Sequence, residues 1–88
     1  MKIKDGYILR EIAEIPVAVP VNDAARSFNG MIRLNSTGAF LWRLLGRKKE
    51  KEQLAEACVS RYRIDRSDAE KHVTEFLDLL RKNGLLDE

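Results

Sequence analysis

Leu34-Asn35-Ser36-Thr37-Gly38-Ala39-Phe40-Leu41-Trp42 decides the fold, because a strand end, a helix cap and an almost wholly apolar helix follow one another there without a spacer. Asn35 and Ser36 are strong N-cap residues whose side-chain oxygens can accept the free amide hydrogens of a first helical turn. At about 100° per residue, Phe40 and Leu44 fall on one side of that helix, Leu41 and Leu45 on a second and Trp42 on a third. Arg43 is the only charged residue from Ser36 to Leu45. A short helix that is apolar nearly all round must be covered on several sides, so it is read as a central core helix.

Toward the N-terminus, Met31-Ile32-Arg33-Leu34 is strand-like, and the polar stretch Asn22 to Ser27 before it is expected to be a loop. Tyr7 to Ala13 and Ile15 to Val21 are rich in β-branched and aliphatic residues, which predicts two antiparallel strands with Glu14-Ile15-Pro16 as a tight connection. Pro16 and Pro20 cannot donate to a ladder, so the second strand has an open side or begins and ends at them.

Toward the C-terminus the chain reads as helical. Gly46 is placed to end the first helix, and Arg47-Lys48-Lys49 leads to a second at about Glu50 to Tyr62, where Leu54, Cys58 and Tyr62 recur every four residues. That second helix has no good cap in Arg47 to Lys51. Ser67-Asp68-Ala69-Glu70 has the form of a capping box, so the third helix starts there and runs to about Asn83, where Gly84 stops it. Its apolar stripe is Ala69, Val73, Phe76, Leu77 and Leu80.

Eighty-eight residues give room for one core, and 44% hydrophobic with 34% charged residues suits a globular protein, so a single domain over residues 1–88 is expected. A lone cysteine excludes an internal disulfide; Cys58 among Leu54, Ala57 and Tyr62 reads as a buried structural thiol, which fits a cytoplasmic location. No stretch approaches the ~20 apolar residues of a membrane span. The Met1 to Asp5 segment lacks the apolar run of a signal peptide.

Catalytic chemistry finds no support in the sequence. One histidine, His72, and one cysteine, Cys58, lie on different predicted helices, without HExxH, CxxC, GxSxG or a phosphate-binding glycine loop. No catalytic residue, metal site or cofactor is therefore assigned. The layout of a hairpin and three helices raises DNA binding as the alternative, with the last helix as reader. From Asp65 to Asn83, however, five acidic residues (Asp65, Asp68, Glu70, Glu75, Asp78) face four basic ones (Arg66, Lys71, Arg81, Lys82), and the formal net charge is only +2. Phosphate binding needs a surplus of positive charge there. The basic run Arg47 to Lys51 is a solubilising turn or a contact for acidic residues of a partner.

The run LNSTGAFLW, with Phe28-Asn29-Gly30-Met31-Ile32 before it and Phe76-Leu77 to Gly84-Leu85-Leu86 at the end, resembles the PQQ-biosynthesis protein D family of precursor-peptide recognition elements. The resemblance spans Tyr7 to Leu86. It implies an α+β fold of winged helix-turn-helix type, a three-stranded antiparallel sheet followed by three helices, without catalytic activity. It further implies binding of the leader of a ribosomally made precursor peptide and its delivery to a modifying enzyme, such as a radical enzyme using S-adenosylmethionine, a cyclase or a protease. Such a protein acts as a monomer or weak homodimer, with neither nucleic acid nor membrane as partner, and PQQ is one possible pathway.

A small sheet has edges to which an extended peptide can add as a further strand. The resemblance favours the third strand, Asn29-Gly30-Met31-Ile32-Arg33-Leu34, facing the third helix. On that helix Leu79 lies about 60° from Phe76, close to His72 and Glu75. Leu79, with Phe76 or Val73, is expected to line the hydrophobic pocket, and His72, Val73, Glu75, Phe76 and Leu79 complete the expected peptide site.

Overall fold

The computed structural model describes residues 1–22, 24–27 and 30–88. Its elements in chain order are β1 (Lys2–Ile3), β2 (Tyr7–Ile12), β3 (Ile15–Pro20), α1 (Ala24–Ser27), β4 (Ile32–Arg33), α2 (Ser36–Leu44), α3 (Lys51–Tyr62), α4 (Arg66–Lys82) and β5 (Leu86–Asp87). The fold is α+β: an antiparallel sheet of order β2-β3-β4 followed by helices.

Two prolines in the middle strand set the length of its neighbour. Ile12 pairs with Ile15 across a two-residue turn, and in such a hairpin the flanking pair exchanges hydrogen bonds, so Arg10 with Val17 and Ile8 with Val19 do the same. The main-chain N and C=O groups of Pro16, Ala18 and Pro20 therefore face β4. Prolines have no N–H to give, which leaves Ala18 as the one residue of β3 able both to donate and to accept on that side. β4 accordingly pairs through Ile32 opposite Ala18, and the Leu34 N–H donates to the Pro16 carbonyl at 2.9 Å. This phase shortens the expected third strand, Asn29 to Leu34, to Ile32–Arg33; Asn29 itself lies outside the described residues.

The hairpin turn also differs from expectation. It falls on Ala13 and Glu14, at φ 52° and 67°, rather than on Glu14 to Pro16. Both residues occupy the left-handed region, which costs an L-residue with a Cβ roughly 1–2 kcal/mol. The loop expected over Asn22 to Ser27 contains the short helix α1, started by Ala24 and Ala25 donating to the Val21 and Asn22 carbonyls.

Asn35 caps α2: its Oδ1 accepts from the Gly38 N–H at 2.7 Å. The helix ends at Leu44, before Gly46, and buries Ala39, Leu41 and Trp42, the last two within the core cluster. Its Phe40 stays half-buried, edge-on to Tyr62 with centroids 5.8 Å apart, and the Arg61 guanidinium lies 5.7 Å from the Phe40 ring centre.

The helix α3 does have a cap, against expectation. The Glu50 N–H donates to Gln53 Oε1 at 2.8 Å, the back-bonding half of a capping box, from a residue pair that carries no Ser or Thr. Leu54, Ala55 and Cys58 form its buried face, while Tyr62 is exposed. α4 begins at Arg66 with Asp65 in the cap position, so Ser67 lies inside the first turn and does not act as N-cap. Its stripe of Ala69, Val73, Phe76, Leu77 and Leu80 is buried as predicted. At the other end Gly84, at φ +72°, lets its own N–H reach the Arg81 carbonyl and the Leu85 N–H reach that of Leu80, a Schellman arrangement that buries Leu85.

The chain after Gly84 is not an extension of the helical part. Leu86 and Asp87 pair antiparallel with Ile3 and Lys2, and the Ile3 N–H donates to the Leu45 carbonyl at 3.0 Å. This second, two-stranded sheet closes the core beneath α2 and α4, with Ile3 and Leu85 inside.

Candidate functional site

β4 is one of the two edges of the sheet, and the same alternation that joins Ile32 to β3 turns the Arg33 N–H and C=O away from it. Across from that edge runs α4. Between them lies a cleft of about 260 Å³ lined by Arg33, Leu34, Asn35, Thr37, Gly38, His72, Glu75, Phe76 and Leu79. The edge supplies hydrogen-bonding groups, and α4 with the first turn of α2 supplies a wall.

Six of the expected residues meet in this cleft: Arg33 and Leu34 from the strand, His72, Glu75, Phe76 and Leu79 from α4. Leu34 and Phe76 are 5% exposed, so they form its floor, and Leu79 is half-buried with one side against the core. His72 and Glu75 are exposed at the rim. Val73 is a correction: it is 0% exposed and sits inside the core, because it lies at the middle of the stripe between Ala69 and Phe76. Ile32 does not line the cleft either; it is half-buried and packs on the core from the inner face of the sheet. Met31, 58% exposed, and Gly30, at φ +124°, precede the strand without lining the cleft.

Asn35, Thr37 and Gly38 belong to the cleft and were not foreseen as site residues. Gly38 has a reason to be glycine beyond the cap. A Cβ there would stand 3.1 Å from Asn35 Oδ1, 3.4 Å from the Leu34 Cβ and 3.5 Å from the Phe76 ring, so its absence lets α2 come close to α4 at the cleft floor. The helix-initiating motif that fixes the strand end thus also shapes the cavity.

Among the described residues there is no group of three or more His, Cys, Asp or Glu side chains that could hold a metal ion. Cys58 is 0% exposed, and burial pushes its thiol pKa above the usual value, which keeps it in the unreactive protonated form. Its surroundings are the core, whereas His72 lies on the exposed rim of the cleft. Among the described residues no helix is long and apolar enough to cross a membrane.

Two solved structures share this architecture. The protein solved as TbiB1 in complex with the TbiA(beta) leader peptide is 26% identical, with a TM-score of 0.76 over 99% of this chain and 95% of its own. Lasso peptide synthetase B1, complexed with the leader peptide, is 19% identical, with a TM-score of 0.72 over 96% of this chain and 93% of its own, and shows the same fold. A comparison with curated proteins finds no match. The family model of coenzyme PQQ synthesis protein D (PqqD) matches residues 17–86, a span that runs from the middle strand through the cleft to the closing strand, and the chain therefore belongs to the PqqD family.

Proposed function

We propose that this protein binds the leader segment of a ribosomally made precursor peptide by strand addition at β4 and presents it to a modifying enzyme. The observation that carries this reading is a strand edge that no other described strand pairs, with the Arg33 main chain turned outward, set beside an apolar-floored cleft against α4. An extended peptide satisfies the edge with its own backbone, and alternate side chains descend toward Leu34, Phe76 and Leu79. The two solved relatives in complex with leader peptides support it. The domain acts as a single unit over residues 1–88, contributes no chemistry of its own, and works in the cytoplasm.

Asn35, Thr37 and Gly38 join Arg33, Leu34, His72, Glu75, Phe76 and Leu79 as the proposed site. Leu79 gives the apolar wall, and the exposed Glu75 places a negative charge at the rim, which selects a leader with a basic residue there. DNA binding is disfavoured: Asp68, Glu70, Glu75 and Asp78 are all exposed on α4, where a duplex would meet them.

The test is titration of the purified protein with the leader of the short peptide encoded beside its gene. Saturable binding at micromolar concentrations is expected, and Leu79→Asp is expected to weaken it by about a hundredfold by placing a charge in the apolar wall. If the leader does not bind while duplex DNA binds with a steep salt dependence, the peptide reading is wrong.

A further inference from the structure

The sheet has a second face that the core does not use. Tyr7, Leu9, Ala18 and Ile32 point inward and pack on the buried cluster. Their neighbours point the other way, and the register arranges them in cross-strand rows: Ile12 beside Ile15, then Arg10, Val17 and Arg33, then Ile8 beside Val19. None of these side chains joins the core cluster. Ile8, Ile12 and Ile15 are 36%, 46% and 36% exposed, and Met31 at 58% flanks them. Val17, between Arg10 and Arg33 in its row, is only 3% exposed. A solvated face of an antiparallel sheet ordinarily alternates to polar residues. Here it is aliphatic, broken only by Arg10 and Arg33, and carries no carboxylate in these rows.

We propose that this outer face is the docking surface for the modifying enzyme, and that it fits an apolar patch bearing acidic residues. The proposal rests on the peptide-binding reading above. Charge selects among occupants. Two copies of this chain joined face to face would bring four arginines together with no carboxylate among them, so self-association is disfavoured, while a partner supplying Asp or Glu opposite Arg10 and Arg33 neutralises both. Position argues the same way. Arg33 lies in the outer face through its register with Val17 and on the open edge through its main chain. A peptide added at that edge extends the sheet by one strand, and every second side chain of the peptide then continues the outer face. An enzyme seated there touches the carrier and its cargo together, so leader and enzyme bind cooperatively, each raising the affinity for the other by the same factor.

The experiment uses the full chain and the purified modifying enzyme encoded beside its gene, with and without the leader. Arg10→Glu and Ile12→Asp are each expected to weaken enzyme binding about tenfold or more, with leader affinity held within about twofold. Leader is expected to tighten the wild-type complex by a factor of about five or more. Ile12→Ser repeats the measurement should the charged variant unfold, and the leader titration itself reports the fold of each protein. Enzyme binding unaffected by all three substitutions, or absent in the wild type, overturns the proposal. It is equally overturned if the substitutions abolish a wild-type dimer seen by sedimentation, or binding to vesicles of phosphatidylcholine and phosphatidylserine, while the enzyme does not bind. Failure of the leader to bind the wild type overturns the peptide reading instead; normal leader binding with an indifferent outer face overturns only the docking surface.

Discussion

The sheet ends in two edges that share a chemistry and differ in surroundings. β2 offers six residues, fully paired on one side with β3, and turns main-chain groups outward at alternate positions such as Glu11; β4 offers two residues and turns out those of Arg33. By backbone alone β2 is the better template. Both edges have a helix beside them, but the enclosure differs. Leu9, Arg10 and Glu11 of β2 line a wide, open hollow of about 510 Å³ with Trp42, Arg43 and Gly46. Beside β4, α4 and the first turn of α2 enclose a narrower, apolar-floored cleft of about 260 Å³, where a peptide gains side-chain burial as well as hydrogen bonds. Net gains from single hydrogen bonds are about 1 kcal/mol, so an edge beside an open hollow holds a peptide weakly. The difference teaches that the candidate site is made by how closely a helix encloses the strand, and the strand can be short.

Matched proline substitutions test this most severely. Arg33→Pro removes the outward N–H of β4 and is expected to weaken leader binding about tenfold or more, beyond the effect of Arg33→Ala, which controls for the side chain. Glu11→Pro removes an outward N–H of β2 and is expected to leave leader affinity within about twofold, since a proline whose missing N–H faces solvent is tolerated at an edge. Equal losses at the two edges, read by isothermal titration, would break the comparison. Cys58 gives an independent check of fold: buried and held protonated, it should resist alkylation in every variant that remains folded.

Changes to the wall should come next in size. Gly38→Ala puts a methyl group 3.1 Å from Asn35 Oδ1 and 3.5 Å from the Phe76 ring, and is expected to cost about fivefold in leader binding while the circular dichroism spectrum stays native. Asn35→Ala removes the cap of α2 and should lower stability by about 1 kcal/mol in urea denaturation, with a smaller loss of binding. At the far end of the hairpin, away from the wall, Ala13→Asn with Glu14→Gly relieves two left-handed residues and should raise stability by up to about 1 kcal/mol without changing leader affinity.

Several local signals in the chain are legible, and phase-dependent features are not. The Ser67 capping box, equally local, is not used, because α4 starts earlier, at Arg66. The Asn35 cap, the α4 stripe and the Gly84 stop are each written within a few residues, and all three hold. The placement of Leu79 beside Phe76, His72 and Glu75 follows from helical periodicity alone. Val73 was assigned to the cleft because it shares the stripe with Phe76, but only the packing of α4 reveals which part of a stripe is innermost. Thr37 and Gly38 enter the cleft through the approach of α2 to α4, which no local pattern encodes. The β1–β5 pairing joins Lys2 to Asp87 in strands of two residues, too short for any alternation to register.

The two prolines of β3 have a last consequence, in colloidal behaviour. A strand edge long enough to recruit any extended segment is an aggregation hazard, and proteins commonly shield such edges with charge or cover. Here the middle strand rations what its neighbour can form: with Pro16 and Pro20 withholding donors, β4 cannot lengthen into a flat ribbon on which further chains could stack. A segment arriving without side chains suited to the α4 wall finds too few main-chain partners to stay. At this edge the prolines thus limit the stacking of further chains.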